Sequence, residues 1–400
     1  MGKWIKTRPK GEGESAQEAC RPTSDKDELK IEREAVEKIK GLISPRLGIE
    51  ISHFDMISSI SAVKRRSLLS KETTYEVNVD IEIPEGSAGP EGELEGEIAA
   101  ALETIGSSFL KIIPSVKLHP MEKSKLDVLM SKHVFSPQNP SIPILVVASG
   151  KGGVGKSSIA VNLAATYAAM GKKPGLIDAD VYGYSLSSML GIKERPNTVD
   201  SMLIPASAWG IKAVSLGMFA PDNKPILWRG PRLSRAFSQF INKTLWDDIG
   251  ILIVDLPPGT GDMMISCAQM LPTSSCLLVT TPQISASLVA SRSAVAFAKF
   301  NEKILGVVEN MAFSEEGGKN AFPFGRGGGE KAVEILSEAS GRHIPLLAKI
   351  PLDSDISMLC DEGRPAVLNE DGSLRSTRLA RLFSSLAEKI ENLVKADEIL

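Results

Sequence analysis

The chain contains the apolar run Ile142-Pro-Ile-Leu-Val-Val-Ala-Ser149, followed directly by the octapeptide Gly150-Lys-Gly-Gly-Val-Gly-Lys-Ser157. This stretch is the strongest indication of the fold. The run has the length of a strand, and the next segment, 158–170, has helical spacing and ends at Gly171. The octapeptide fits the pattern G-x-x-x-x-G-K-[ST]. Between a strand and a helix, that pattern predicts a loop whose backbone N–H groups, aided by the helix N-terminus, hold a polyphosphate.

The residues of this loop are the first candidates for nucleotide contacts. Lys156 is expected to neutralise the β- and γ-phosphates, and the hydroxyl of Ser157 is expected to ligate Mg²⁺. A nucleoside triphosphate and Mg²⁺ are therefore the predicted cofactors of the loop, and the adenine contact assigned below to Asn310 makes that nucleotide ATP. The predicted contact residues of the loop are Gly150, Lys151, Gly152, Gly153, Val154, Gly155, Lys156, Ser157 and Ser158.

Two carboxylates end the next predicted strand, which begins at Lys173. In an open parallel sheet the carboxyl ends of the strands face the ligand crevice, so Asp178 and Asp180 are expected near the phosphate loop. Asp180 is the candidate for orienting or deprotonating the attacking water, and Asp178 is expected to support the Mg²⁺ shell. The alternative is a helix N-cap and a surface acid.

Two further strand ends carry polar candidates. The buried run before Asp255 predicts an aspartate that holds Mg²⁺ together with Ser157, through a water, and Gly259 follows as a backbone N–H that can sense the γ-phosphate. Asn310 ends a later strand, where a carboxamide can both donate to and accept from adenine. Backbone groups around Pro351–Asp353 are expected to complete the base pocket.

Composition limits the possible classes of protein. A length of 400 residues favours two domains, and a net charge of −3 gives no sign of nucleic-acid binding. No apolar run reaches the roughly 18 residues of a membrane helix, so no membrane partner is predicted. The cysteines are far apart and form no C-x-x-C, which predicts neither disulfides nor a metal knuckle and favours the cytoplasm. They are Cys20, Cys267, Cys276 and Cys360.

Periodicity divides the chain into four segments. Residues 1–28 are polar without periodicity and are predicted to be a disordered tail. Residues 29–122 predict a small α/β domain, and residues 123–142 a linker. Residues 143–400 alternate strand and helix, as a doubly wound parallel sheet requires. The final segment, 379–400, is amphipathic and is expected to pack on that sheet.

The small domain has the predicted order helix (29–43), strand (51–63), strand (74–83), helix (93–105), strand (112–118). This order resembles the MIP18-like domain. Ile43-Ser-Pro-Arg-Leu-Gly48 stands where that family carries Asp-Pro-Glu-Leu, and the family's usual cysteine is missing. A structural or docking domain is the alternative interpretation.

Residues 143–367 resemble the Mrp/NBP35-type P-loop ATPases, which carry and transfer iron–sulfur clusters. The resemblance implies a slow ATPase that works as a homodimer and serves iron–sulfur apoproteins or assembly factors. Lys151 makes the loop a deviant Walker A motif, and in such families this lysine acts across the dimer. The resemblance therefore adds Lys151 to Lys156 and Asp180 as a catalytic candidate. A solvated lysine is the alternative for Lys151. The stretches that carry the resemblance, besides the loop, are Asp178–Gly183, Trp228–Pro231, Val254–Asp262, Thr280–Gln283, Val308–Met311 and Gly327–Glu330.

The chain departs from this family where the cluster ligands are expected. The family implies a C-x-x-C from each subunit between the Asn-Met strand end and the Gly-Gly-Gly-Glu, but no cysteine lies between Met311 and Gly327. Thiolate is the ligand that iron–sulfur iron normally requires, and we assign no iron ligand. Cys267 and Cys276 are predicted core residues and Cys360 a lone thiol.

Two functions therefore remain open from the sequence. One is an ATPase acting in iron–sulfur cluster assembly or transfer. The other is a nucleotide-switched interaction protein of the MinD/ParA type without a metal cluster.

Overall fold

The computed structural model of the chain describes two compact units. The smaller unit comprises the described residues up to Lys132 together with Asn197–Ile204, and the larger comprises His133–Pro196 and Pro205–Leu400. The described residues are 26–44, 50–52, 55–65, 73–84, 92–107, 110–133, 142–180, 185–193, 196–199, 202–219, 230–259, 262–298, 303–316 and 319–397. The predicted tail lies almost entirely outside these ranges, as does most of the Ile43–Gly48 motif.

The smaller unit is built on a three-stranded sheet. Its elements are α1 (Lys26–Ile39), β1 (Ile57–Arg65), β2 (Thr73–Ile83), α2 (Glu93–Glu103), β3 (Leu110–Pro120) and α3 (Lys123–His133). β2 is central, antiparallel to β1 and parallel to β3. Every second residue of β2 from Tyr75 to Ile83 is buried, which is the pattern of a strand with one face in a core.

The predicted order of elements in this unit is confirmed, with two shifted boundaries. α1 ends at Ile39 and β1 begins at Ile57. The N–H of Ile51 donates to the carbonyl of Leu42 at 2.8 Å, so these two residues pair with each other and not within the predicted helix and strand. The segment predicted to be a linker contains α3. The assignment of 29–122 and 143–400 as domains remains a proposal.

The larger unit alternates strands and helices along most of its length. Its first half contains β4 (Ile144–Ser149), α4 (Lys156–Ala169), β5 (Pro174–Asp178), α5 (Leu186–Met189), β8 (Ala206–Ala208), β9 (Ile211–Ser215), a short 3-10 turn (Leu216–Phe219) and α6 (Gly230–Asn242). Its second half contains β10 (Ile251–Asp255), α7 (Asp262–Met270), β11 (Ser275–Thr280), α8 (Ile284–Ala298), β12 (Lys303–Glu309), β13 (Ser314–Glu316), β14 (Lys319–Ala321), α9 (Gly328–Ser340), β15 (Leu346–Lys349), α10 (Ser354–Asp361) and α11 (Arg378–Asp397). β6 (Asn197–Val199) and β7 (Met202–Ile204), which belong to the smaller unit, form a separate antiparallel pair.

An eight-stranded sheet forms the centre of the larger unit, in the order β15-β12-β11-β4-β10-β5-β9-β8. The strands are parallel except that β8 runs antiparallel to β9. The predicted doubly wound α/β sheet is therefore confirmed. β4 lies between β10 and β11, so the loop after it opens at the carboxyl edge among the ends of neighbouring strands.

Two helices close the core on one side of this sheet. The phenol of Tyr167, on α4, donates to the carbonyl of Ala387 on α11 at 3.2 Å. Phe383, Leu386 and Ile390 of α11 are buried in the same core cluster as α4, in agreement with the prediction that the last helix packs on the sheet. None of the helices in the described ranges is long and apolar enough to cross a membrane.

Candidate functional site

The predicted phosphate loop lies at the carboxyl end of β4, as expected. Gly153 and Gly155 have φ values of 80° and 79°, a left-handed conformation in which a side chain would be strained. A Cβ on Gly150 would lie 2.2 Å from the backbone nitrogen of Ala290, and a Cβ on Gly155 would lie 2.2 Å from Nδ2 of Asn310. The glycines therefore allow both the curvature of the loop and its close contacts with α8 and with the end of β12.

Three of the predicted side chains meet at the start of α4. The Nζ of Lys156 lies 2.5 Å from Oδ1 of Asp255, and the hydroxyl of Ser157 donates to Oδ2 of the same carboxylate at 2.6 Å. Lys156 is 5% exposed and Asp255 is fully buried. The carboxylate thus binds both residues that are expected to meet phosphate and Mg²⁺, so the loop and β10 form one polar centre.

Asp178 and Asp180 lie beside this centre, and their contacts separate their roles. Both oxygens of the buried Asp178 accept hydrogen bonds from protein groups, one from the N–H of Asp180 at 3.0 Å and one from the hydroxyl of Ser215 at 2.9 Å. Asp180 lies close enough for its charge to raise the pKa of Asp255. Asp178 is therefore placed to hold the backbone of Asp180.

The carboxylates of Asp178 and Asp255 are electrostatically strained. Burial and then the charge of Asp255 raise the pKa of Asp178 from 3.8 to about 7, against the effects of Ser215, the Asp180 N–H and Lys156. Burial also raises the pKa of Asp255, and Lys156 and Ser157 oppose that shift. Two desolvated carboxylates of like charge that face each other in register favour a bound cation.

Lys151 lies on the exposed side of the loop. Its Nζ is 3.1 Å from the hydroxyl of Ser285, at the start of α8. Ile284 and Leu288, on either side of Ser285 in that helix, are 56% and 41% exposed. The lysine is thus held on its own chain beside an exposed apolar pair.

Asn310 and Gly259 both form hydrogen bonds at the phosphate loop, Asn310 with the loop itself and Gly259 with the end of β4. The Nδ2 of Asn310 donates to the carbonyl of Val154 at 2.9 Å, and its buried Oδ1 has no hydrogen-bond partner among the described residues. The N–H of Gly259 donates to the carbonyl of Ser149 at 2.9 Å, so the predicted contact of this N–H with a γ-phosphate requires that bond to open. The predicted base-pocket segment Pro351–Asp353 follows β15, and the N–H of Leu352 within it donates to the carbonyl of Phe313 at 2.7 Å.

The segment between Met311 and Gly327 contains the antiparallel pair β13 and β14. Arg378 lies over the ring of Phe313 at 5.2 Å and forms an ion pair with Glu315, and Arg326 lies over the ring of Phe322 at 3.5 Å. Cys267, Cys276 and Cys360 are buried, and the burial of the first two agrees with their prediction as core residues. Within the described ranges no group of three or more His, Cys, Asp or Glu side chains is placed to hold a metal.

The sequence did not reveal two of the residues that contact this site. Ser215 ends a short apolar strand in the same way as the strands that end in aspartate, a signal that could have marked it. Ser285 has no comparable signal, because its contact with Lys151 depends on where α8 packs.

Several known proteins are similar to this chain. Residues 142–391 match the model of a ParA family described as the NUBPL iron-transfer P-loop NTPase. Curated relatives named iron–sulfur cluster carrier protein include one from Mycobacterium leprae, 36% identical over 88% of this chain and 91% of its own length, and one from Bacillus subtilis, 33% identical over 84% and 92%. Similar solved structures include a nucleotide-binding protein of Archaeoglobus fulgidus in complex with ADP (31% identity, 57% of this chain and 89% of that chain, TM-score 0.48) and the cell division ATPase MinD of Pyrococcus furiosus (26% identity, 63% and 99%, TM-score 0.47).

Proposed function

Since this chain belongs to the NUBPL-type iron-transfer P-loop NTPases, we propose that it binds and slowly hydrolyses ATP at the carboxyl edge of its large sheet. The observation that carries the proposal is the convergence of Lys156, Ser157 and Asp255 at the mouth of a glycine loop. A buried lysine and a hydroxyl on one carboxylate suit the phosphates and the metal of a nucleotide.

Each residue of the centre has a proposed task. Lys156 moves from Asp255 to the β- and γ-phosphates, and Ser157 and Asp255 hold Mg²⁺, which when bound neutralises charge on the phosphate oxygens. Asp180 accepts a proton from, or orients, the water that attacks the γ-phosphorus. Gly259 senses that phosphate through its N–H.

The base is proposed to lie against Asn310. The buried Oδ1 of Asn310 has no hydrogen-bond partner in the part of the chain that the structure describes, and an unpaired buried acceptor costs free energy that a donor from a ligand would offset. The exocyclic amine of adenine is such a donor, which favours ATP over GTP.

The test of the nucleotide site is the Lys156→Ala variant. We expect ATP binding or hydrolysis to be lost while thermal unfolding of the apoprotein shows a folded chain, because the change removes the cation that faces the phosphates. Asp255→Ala should have the same effect through loss of Mg²⁺. Lys193→Ala, on an exposed lysine, is the control, and wild-type turnover in Lys156→Ala or Asp255→Ala would refute the site.

We also propose that ATP favours a homodimer in which Lys151 acts on the nucleotide of the partner. The exposed Ile284 and Leu288 beside Lys151 support an interface at this face. Lys151→Ala should lose hydrolysis more than ATP affinity, since a contact made in the transition state affects rate rather than ground-state binding. Light scattering with ATP tests assembly, with Lys331→Ala as the control, and a monomer at every nucleotide state and concentration would refute the dimer.

The proposed biological role is iron–sulfur cluster assembly or transfer to apoproteins, as the names of the relatives suggest. The residues do not fit a bridging cluster in the Met311–Gly327 segment, because it offers no thiolate or imidazole. We therefore propose that the ATP cycle acts on clusters carried by a partner. The cysteine-free segment is also the observation that supports a second candidate, a nucleotide-switched interaction or positioning ATPase of the MinD/ParA type without a metal cluster.

Anaerobic reconstitution followed by iron and sulfide counting and a visible spectrum tests the cluster proposal. We expect ATP binding without a stable bridging [4Fe–4S] cluster. Stoichiometric iron and sulfide, abolished only by removal of Cys267, Cys276 or Cys360, would show that the cluster site has moved within the chain.

The widely spaced cysteines support a cytoplasmic location of the protein.

A further inference from the structure

Ser215 occupies a position in the sheet that aligns it with two of the site's carboxylates. The register pairs Asp255 of β10 with Asp178 of β5, and Asp178 with Ser215 of β9. Each of the three is the last residue of its strand, and none is more than 1% exposed. Neighbouring residues in register on parallel strands point to the same face, so the three side chains form one row across the carboxyl edge.

The hydrogen bonds of Ser215 fix the direction of its hydroxyl. The N–H of Gly217 donates to the Oγ of Ser215 at 3.1 Å, which uses the oxygen as an acceptor. The single hydroxyl hydrogen is then directed to Oδ2 of Asp178, 2.9 Å away. Because a serine hydroxyl has one donor, this geometry commits it to the carboxylate.

Asp178 also forms a hydrogen bond with the backbone of Asp180. The other oxygen of Asp178 accepts the N–H of Asp180 at 3.0 Å, so the orientation of the carboxylate and the backbone of Asp180 are coupled. We propose that Ser215 is a positioning residue for ATP hydrolysis, which holds Asp178 so that Asp178 can hold Asp180 at the attacking water. This inference rests on the proposed function of Asp180.

The structure distinguishes this role from general packing. Ser291 of α8 is equally buried, and its hydroxyl donates only to a backbone carbonyl, that of Ser287 at 2.8 Å. Ser291→Ala therefore removes a buried hydroxyl of the same size without touching Asp178. It is the matched control for Ser215→Ala.

The experiment measures kcat, KM and ATP affinity for the full-length wild type, Ser215→Ala, Ser215→Thr and Ser291→Ala, with thermal unfolding of each. We expect kcat of Ser215→Ala to fall about tenfold, the effect of one hydrogen bond to a charged group, while ATP affinity changes less than about twofold. Ser215→Thr, which keeps the hydroxyl, should recover most of kcat, and Ser291→Ala should keep it.

Other outcomes would overturn the inference. Unchanged kcat in Ser215→Ala, an equal loss in Ser291→Ala, or a fall in ATP affinity as large as the fall in kcat would each reduce Ser215 to a packing residue. If Ser215→Ala does not fold, Ser215→Cys keeps the size with a weaker donor, and the same expectation of lowered kcat at constant affinity applies to it. A wild type without turnover would refute the proposed hydrolysis itself, and with it this role, whereas active wild type with unaffected variants refutes the role alone.

Discussion

For single residues, the carboxylate of Asp178 shows how burial changes the proton affinity of an acid in this site. This carboxylate is buried beside that of Asp255, and its pKa rises from 3.8 to about 7. A folded-state pKa above the unfolded value means that the native state binds the proton more tightly. The resulting stability is fully present below about pH 4 and is lost as the pH rises through about 7.

The direction of this pKa shift predicts how the Asp178→Asn variant responds to pH in the absence of metal and nucleotide. The amide keeps an oxygen for the N–H of Asp180 but carries no charge, so at pH 8 the variant should be more stable than the wild type by an amount on the order of a few kcal/mol. Below about pH 4 the difference should disappear. Urea unfolding in EDTA at a series of pH values measures it, with Asp361→Asn on an exposed aspartate as the control. If the free energies of unfolding of the wild type and of Asp178→Asn changed with pH in the same way, the raised pKa of Asp178 would be contradicted.

At the scale of elements, the phosphate loop is shaped by two different demands on its glycines. Gly153 and Gly155 share the left-handed backbone, but only at Gly155 would a Cβ strike another element, at Nδ2 of Asn310. A Cβ on Gly153 meets nothing within 4 Å. A comparison of alanine substitutions at Gly153 and Gly155 therefore separates the free-energy cost of backbone strain from that of a clash with Asn310, at the end of β12.

We predict that Gly153→Ala destabilises the protein by about 1 kcal/mol, the usual penalty of a left-handed non-glycine residue. Gly155→Ala should cost more and should also weaken ATP binding, because the methyl group displaces Asn310 from the loop. Urea unfolding and nucleotide titration of the two variants check this. Equal losses of stability and equal ATP affinities would mean that Asn310 moves without consequence.

At the scale of the whole molecule, the chain consists of two compact units, and the proposed nucleotide centre lies within the larger one. A ligand stabilises the cooperative unit that binds it. If the units unfold independently, saturating Mg-ATP should raise only the unfolding transition of the larger unit, by about 2.7 kcal/mol at a hundredfold excess over Kd.

Differential scanning calorimetry with and without Mg-ATP tests this prediction. Val77→Ala, a core truncation in β2 of the smaller unit, should lower the other transition and so identify it. Transitions that move together under either change would show one cooperative body and would contradict the proposed division at residues 123–142.

The sequence alone determined the features that depend on local pattern. The glycine loop between strand and helix, the alternation of β2 and the strand ends at Asp178, Asp255 and Asn310 are encoded in consecutive residues, because hydrophobic period and turn chemistry act over a few positions. The family resemblance followed from the same motifs and is confirmed by the relatives.

The contacts between side chains of different strands and helices depend on the folded arrangement of the sheet and could not be read from local pattern. The row Ser215–Asp178–Asp255 follows from the register of three parallel strands far apart in sequence, and the contact of Lys151 with Ser285 follows from the packing of α8. Hydrogen bonds of this kind depend on distances set by the whole sheet, which no local period contains. The sequence therefore located the edge at which the site forms, and the fold decided how its residues are held there.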